Sequence, residues 1–433
     1  MRHVDYFIVG SGFSGLTFAE RLATQSGKTS LVVDRRNHLG GNAYDEYDAA
    51  GVLIHRYGPH YFRTNSSLIR DYLSQFTEWH QVNYEILSYS DGRYWNFPIN
   101  LNTFEQFLGR SSTSEEMEQW LAEHRIPIEH PANSEEMIIS QVGWELYEKF
   151  FKGYTLKQWK RSPRELDASV CGRIPIRTNR DNRYLREEFQ ALPKEGYTRM
   201  FERMVAACGD KITLQLEKDY RDVFSSITFD HMIYTGAIDG YFDYCYGPLP
   251  YRSLRFEPES FTKEQLDLLH NSTGDAHCVV APVLSPSSAS CTLSRCAPAA
   301  PGTASPAASS PRGLLTVCES NSAKKGFWQP AMQVNYPNEE AFTRIVEIKY
   351  ATGQQCENTT IVREYPDDYE PGKEAYYPIP AADATALYQR YKKLADSEQN
   401  VSFIGRLATY RYYNMDQVVG MALAEFKKLE KIS

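Results

Sequence analysis

The 433-residue sequence has no run close to the roughly 18 apolar residues that a membrane-spanning helix needs, and its mean hydropathy is −0.51. It lacks an excess of positive charge. Against 47 Lys and Arg stand 55 Asp and Glu, a formal net charge of −8, which argues against a nucleic-acid surface as the main business. Its eight cysteines include no CxxC pair and no Cys/His spacing of the zinc kind, so reduced thiols in a cytosol are expected and no metal site is. The N-terminus, MRHVDYFIVGSG, runs straight into strand-forming residues and leaves no room for a signal peptide. A cytoplasmic protein without membrane or nucleic-acid partners is expected. Its length exceeds one ordinary core, since single cores stop growing near about 250–300 residues.

What is present begins at Asp5. Asp5 to Val9 is a short apolar run, followed by Gly10-Ser11-Gly12-Phe13-Ser14-Gly15, a helical stretch from Leu16 to Ala23, and a second apolar run from Ser30 to Val33 ending at Asp34. This is a βαβ opening, with G-x-G-x-x-G after a strand and at the start of a helix. The first glycine makes the turn, the second lets backbone approach a pyrophosphate, and the third packs helix on strand. Free N–H groups at the helix start favour the phosphate. Asp34 stands where an acid bonds ribose hydroxyls. Gly40-Gly41-Asn42 follow within DRRNHLGGN, and Gly405-Arg406 precede the last helical pattern; that late return of the chain favours FAD over NAD. Gly10, Gly12, Ser14, Gly15, Asp34, Arg35, Gly41, Asn42, Gly405, Arg406 and Met415 are the candidate cofactor-binding residues. Thirty tyrosines suit a large, wet site for a polar ligand.

Between 65 and 79, Leu68, Ile69, Tyr72, Leu73 and Phe76 recur at helical spacing. The pattern over 102–150 is helical again. There Thr103 with Gln106 and Thr113 with Glu116 fit capping boxes, and Met117, Trp120 and Leu121 share a face. Over 241–257 and 327–365 β-branched and aromatic residues alternate and predict strands; 415–429 predicts an amphipathic helix. Residues 271–325 hold 11 Ser, 10 Ala and 6 Pro and no aromatic residue, so they predict a disordered insertion. The expected fold class is α/β. It comprises a FAD-binding Rossmann-like domain (1–80, 194–238 and 398–433), a small helical domain (101–150) and an antiparallel substrate-binding sheet (81–100, 151–193 and 239–397). An insertion at 258–326 interrupts that sheet.

Six segments in order (DRRNHLGGN, YGPHYFRTN, FFKGYTLKQW, GYFDYCYGPLPYRSLRFE, the VNYP and TRIVEIK pair, and GRLATYRYYNMD) resemble bacterial UDP-galactopyranose mutases. The resemblance covers nearly the whole chain except about 258–326. It implies an FAD-dependent isomerase that interconverts UDP-galactopyranose and UDP-galactofuranose through a covalent adduct at N5 of the reduced flavin. There is no net redox change, and NAD(P)H or dithionite would supply the reduction. It also implies a homodimer and a place in cell-surface polysaccharide biosynthesis. A cofactor that carries the hard chemistry leaves positioning and electrostatics to the protein, so no Ser/His/Asp triad or carboxylate pair is required.

Matched to the family's motifs, Arg173 is the mobile-loop arginine and Arg344 the fixed one, planar charged donors of the kind a leaving diphosphate needs. His60 matches a histidine close to the flavin. Phe150, Tyr154 and Trp159 match the nucleotide pocket, and Tyr184, Tyr377 and Tyr412 the phosphate-contacting tyrosines. Asn335 and Asn414 match substrate-contacting positions, and Asn96 or Asn100 is expected to reach the sugar. Two residues depart from the pattern: Arg63 stands where many bacterial mutases have His, and Asn414 where some have Asp. Both bear on substrate preference. The strand ending LRFE and the strand carrying Asn335 are expected to pair. Three alternatives stand beside this resemblance: a sibling mutase for another nucleotide-sugar, a net FAD oxidoreductase of amine-oxidase type, and a flavin-binding protein without turnover.

Overall fold

In its second half, Tyr6 to Val9, the Arg2–Val9 strand is apolar on both faces, which demands cover above and below. It lies at the centre of a five-stranded sheet in the order Ile212–Gln215, Ser30–Val33, Arg2–Val9, Ile227–Tyr234 and Val401–Phe403, with every pairing parallel. The computed structural model describes residues 2–272 and 323–431. One face of the sheet is covered by the Phe13–Arg21 helix, which packs on the last helix, Met415–Glu430, and on Tyr197–Ala207. Leu16, Phe18, Phe201, Val419 and Phe426 close this core. Burying such side chains stabilises by roughly 1.5–3 kcal/mol each.

A second sheet of seven strands runs Tyr377–Pro378, Tyr251–Phe261, Thr359–Asp368, Arg344–Val346, Gln333–Asn335, Ile86–Ser90 and Arg93–Phe97. It is antiparallel except where Gln333–Asn335 lies parallel to Ile86–Ser90. The expected direct pairing of the LRFE strand with the Asn335 strand does not occur, because two strands stand between them. A three-stranded sheet of Phe62–Thr64, Phe189–Pro193 and Trp79–Gln81 joins the two halves.

Three helices, Leu101–Leu108, Ser114–His124 and Ser134–Tyr147, flank the second sheet, each started by a side-chain cap from Asn100, Thr113 or Asn133. Thr103 is not a cap: Asn100 comes first, and Thr103 closes a capping box as the third helical residue. Met117 and Leu121 are buried and Trp120 packs beside them, as the spacing predicts. Residues 241–250 are not strand: Tyr241 ends a short helix, and turns and irregular chain follow. Gly240, Gly247, Pro248 and Pro250 break the alternation, and Asp243, Tyr244 and Gly247 adopt positive φ. The insertion is also shorter than expected at its edges. Residues 258–261 continue the strand and pair with 359–362, and Lys263–Ser272 is a helix. The backbone N–H groups of Trp328 and Gln329 bond Glu347. The rest of the predicted disorder falls on 273–322, outside the described residues. Among the described residues, no helix is long and apolar enough to cross a membrane.

Candidate functional site

A cavity of about 480 Å³ lies between the two large sheets and begins at the turn after the first strand. Gly10 has φ +103°, and a Cβ on Gly15 would overlap the Gly10 carbonyl oxygen, so the turn needs both glycines as the motif predicts. The helix then starts at Gly12 with no side chain capping its N–H groups, which face the cavity. The double glycine packs back on this turn: Gly40 N–H bonds Ser11 O at 2.9 Å, and a Cβ on Gly41 would stand 3.2 Å from Gly12 Cα. Gly405 returns at φ +90°, where a Cβ would meet Ser14 Oγ at 2.9 Å. An uncapped helix start, glycine backbone on two sides and a cleft of this size fit a dinucleotide cofactor.

Asp34 ends its strand as expected, but its Oδ2 accepts from Ser11 N at 2.8 Å and Ser11 Oγ at 2.7 Å, and Oδ1 accepts from Arg36 N at 3.0 Å. The carboxylate therefore also locks the phosphate turn. Arg35, Asn42, Arg406 and Met415 line the same cavity. His60 lines it too. Its Nδ1 lies 2.9 Å from Gly58 O, so that nitrogen carries the proton and Nε2 is left as an acceptor. Burial pushes its pKa down to about 3, and the ring is neutral at ordinary pH.

The opposite wall carries the charge. Arg173, Arg344, Arg406 and Arg63 all line the cavity. Arg344 grips the buried carboxylate of Glu364 through Nε at 2.9 Å and Nη2 at 2.6 Å. Arg173 has no carboxylate partner among the described residues. Its Nε donates to Val170 O at 3.1 Å, and its guanidinium lies over the Tyr412 ring at 4.9 Å. Enclosure raises the Tyr412 hydroxyl, but Arg173, Arg406 and Arg63 outweigh it and hold the group below the usual tyrosine range. Tyr377 stacks on Tyr412 with centroids 5.4 Å apart, and burial pushes its own hydroxyl up to about 12. Tyr184 and Asn414 complete this wall.

Five predicted residues stand behind the cavity surface. Gly15 lies beneath the turn. Phe150 packs in the core against Trp95 and Phe97. Trp159 is buried 6.2 Å from the Tyr377 ring. Tyr154 lies close enough to Arg344 for that charge to oppose the rise that burial imposes on its hydroxyl. Asn335 accepts a 2.8 Å bond from Gln333, which also lies against Tyr84 and Arg344. Asn96 and Asn100 are bound into the helical layer, to Gln106 and Asn182. Sequence reasoning missed Glu374, which lines the cavity and pairs with both Arg35 and Arg36. Its partners are 338 and 339 positions away, and no local signal marks it.

A family model described as UDP-galactopyranose mutase matches residues 149–271 and 315–412, and one described as NAD(P)-binding Rossmann-like domain matches 8–76. A probable UDP-galactopyranose mutase of Klebsiella pneumoniae is 32% identical over 427 residues, covering 98% of this chain and 94% of its own. The chain belongs to the UDP-galactopyranose mutase family. That family makes it an enzyme of the isomerase class. A dTDP-fucopyranose mutase of Escherichia coli is 30% identical over 423 residues, covering 96% of each chain. A crystal structure of a reduced UDP-galactopyranose mutase shares the fold with a TM-score of 0.66 at 15% identity, covering 99% of this chain and 96% of that one. A putrescine oxidase variant shares it at 0.55 and 12% identity, covering 99% of each chain. Both bear out the α/β class with its Rossmann-like part.

Proposed function

We propose that the protein interconverts UDP-galactopyranose and UDP-galactofuranose, using FAD in its reduced form with no net redox change. One observation carries this beyond family membership: Arg173 and Arg344 face the same cavity that opens at the phosphate-binding turn. Permanent charges there suit a second diphosphate next to the cofactor, which a simple amine oxidase has no use for. Bound and reduced, the flavin supplies covalent chemistry at N5 toward the sugar's anomeric carbon. The chain's own work is positional. The Gly10–Gly15 turn and the open helix start would hold the cofactor's pyrophosphate, and Arg406 and Met415 would line its site. Arg173 and Arg344 neutralise UDP as it departs and keep it for its return, helped by the hydroxyls of Tyr184, Tyr377 and Tyr412. Neutral His60 would offer Nε2 as an acceptor to a flavin bound in this cavity. Phe150, Tyr154 and Trp159 form the floor beneath the nucleotide. Family resemblance supports a homodimer and a cytoplasmic location.

Dithionite-reduced protein incubated with UDP-galactofuranose should yield UDP-galactopyranose by chromatography. Arg173→Ala or Arg344→Ala should lower kcat/KM by about 10²–10³-fold. Flavin-loaded, reduced protein that converts none of the substrate would refute the proposal, and full conversion by both variants would remove the diphosphate role from the two arginines. A second reading, a mutase for dTDP-fucose, is supported by the 30% identity to the E. coli enzyme. The same assay with the thymidine nucleotide decides between them.

A further inference from the structure

An ammonium has three protons to donate and no acceptor, so the groups that take those protons show what a half-buried lysine holds in place. Lys157 sends its Nζ to three main-chain oxygens of one loop: Tyr336 O at 2.7 Å, Glu340 O at 2.5 Å and Phe342 O at 3.1 Å. It stands on the Gly153–Trp159 helix, which also carries Tyr154, and it is not part of the cavity wall. The loop joins the strands Gln333–Asn335 and Arg344–Val346, and the last pair before it is Asn335 with Arg344. Each strand is three residues long, so whatever holds the loop also holds the end at which Arg344 stands.

Helix and loop meet a second time. A Cβ on Gly153, one turn before Lys157, would stand 2.6 Å from Pro337 O and 2.5 Å from Asn338 Oδ1, so the helix start is pressed against the loop backbone. Asn338 Nδ2 in turn lies 3.2 Å from Ser90 Oγ. Glu364 grips the Arg344 guanidinium from the neighbouring strand; Lys157 grips the main chain just before it. Burial pushes the Lys157 pKa down to about 8, and the charged group that opposes the fall is the Glu340 carboxylate of the loop itself. The nearby cations Lys152 and Lys160 pair elsewhere, with Glu148 and Asp368. A neutral amine has two protons and a lone pair, so it can serve only two of the three carbonyls.

We propose that Lys157 is a positioning residue: by gathering the 336–342 loop onto the helix of Tyr154, it sets where Arg344 presents its charge to the diphosphate of a bound nucleotide. This rests on the role given to Arg344 above. The test is equilibrium titration of the oxidised, FAD-loaded protein with UDP at pH 7 and at pH 9.5. Lys157→Met keeps an unbranched side chain and loses all three bonds. At pH 7 it should bind UDP about tenfold more weakly than wild type, within the range that small misplacements cost. At pH 9.5 the wild-type amine is itself neutral, and the gap should shrink to about twofold. Ionisation of Tyr412 or another cavity group shifts both proteins alike and leaves the ratio unchanged. Gly153→Ala pushes the same loop away at any pH, so its UDP affinity should fall by a similar factor at both values.

Equal UDP affinity of Lys157→Met and wild type at pH 7, even with a lowered Tm, would make the lysine structural and overturn the proposal. A tenfold gap that persists at pH 9.5 would assign the effect to side-chain shape and not to the three bonds, and overturn it as well. Flavin absorbance reports folding. Should Lys157→Met lose flavin, Gly153→Ala carries the test, and unchanged UDP affinity there would show that the loop does not place Arg344. A wild type that takes up neither UDP nor dTDP defeats the diphosphate role of the arginine wall. A wild type that binds UDP, with Lys157→Met as its equal, defeats the role of Lys157 alone.

Discussion

The two walls of the cavity are built from different material. Around the phosphate-binding turn the wall is main chain: Gly10, Gly12, Gly40, Gly41 and Gly405 crowd together, and the added Cβ atoms of Gly10, Gly15 and Gly40 would each strike a neighbour. Across from it the wall is side chain. Guanidiniums and phenols arrive from segments near residues 63, 173, 184, 344, 377 and 412, and ion pairs such as Arg344 with Glu364 hold them. A backbone wall fails sterically and all at once. A charged wall fails electrostatically, by degrees set by how each charge is balanced.

Gly15→Val breaks the first wall most completely. Its added carbons fall inside the Gly10 carbonyl oxygen and approach the Ile8 side chain, so helix and strand cannot close. The expected product is protein without bound flavin and with a strongly lowered Tm, read by flavin absorbance and thermal melting. Gly27→Ala is the matched control. Gly27 has φ +64° but nothing within 4 Å, so only the modest cost of a left-handed residue applies and flavin stays bound. A flavin-loaded Gly15→Val protein of normal Tm would end the distinction between the walls.

On the charged wall the contrast is between two arginines. Arg344→Ala leaves Glu364, 1% exposed, as an uncompensated buried carboxylate, an event that typically costs about 3–5 kcal/mol. Arg173→Ala strands no carboxylate and should cost about 1 kcal/mol or less, as surface changes usually do. Both should weaken UDP binding. Denaturant unfolding checks the difference, and adding Glu364→Gln to Arg344→Ala should recover part of the lost stability. Equal destabilisation by the two single changes would show that the Glu364 contact does not set the cost.

The same division explains what was legible in the sequence. The phosphate turn could be read because its backbone demands glycine at fixed spacing between a strand and a helix. The last helix and the helical layer could be read from apolar periodicity and caps. Residues 241–250 were misread as strand because aromatic residues at alternating positions outweighed Gly240, Gly247, Pro248 and Pro250 in the pattern. On the charged wall, Arg173 and Arg344 were reached only by resemblance, since a lone arginine carries no local signature. The contacts of Arg63 with Asn414 and of Arg36 with Glu374 were out of reach, because pairing across more than 300 residues is a property of the folded sheets and not of any window of sequence.

Glu374 joins the two walls, so its removal gives the smallest and most selective effect. Arg36 Nη2 lies 2.5 Å from Glu374 Oε2 and also donates to Asn42 Oδ1 at 2.7 Å, while Arg35 stands 3.3 Å from the same carboxylate. The pair ties the segment leading into Tyr377 to the cofactor turn. Burial pushes the Glu374 carboxyl up, but its bonds and charge contacts with Arg36 and Arg35 outweigh it and hold the pKa below the ordinary value of 4.5. A carboxyl with a lower pKa folded than unfolded stabilises above the unfolded value, and that stability is lost as pH falls through the folded one. With the Glu374 side chain 34% exposed, solvent screening limits the contribution to about 1 kcal/mol. Glu374→Gln should therefore melt a few degrees below wild type at pH 7 and release flavin faster, and the gap in Tm should close below pH 4.5 as the wild-type carboxyl takes up its proton. A gap of constant size down through that range would mean that Glu374 acts through packing and not through charge, leaving the two walls joined by shape alone.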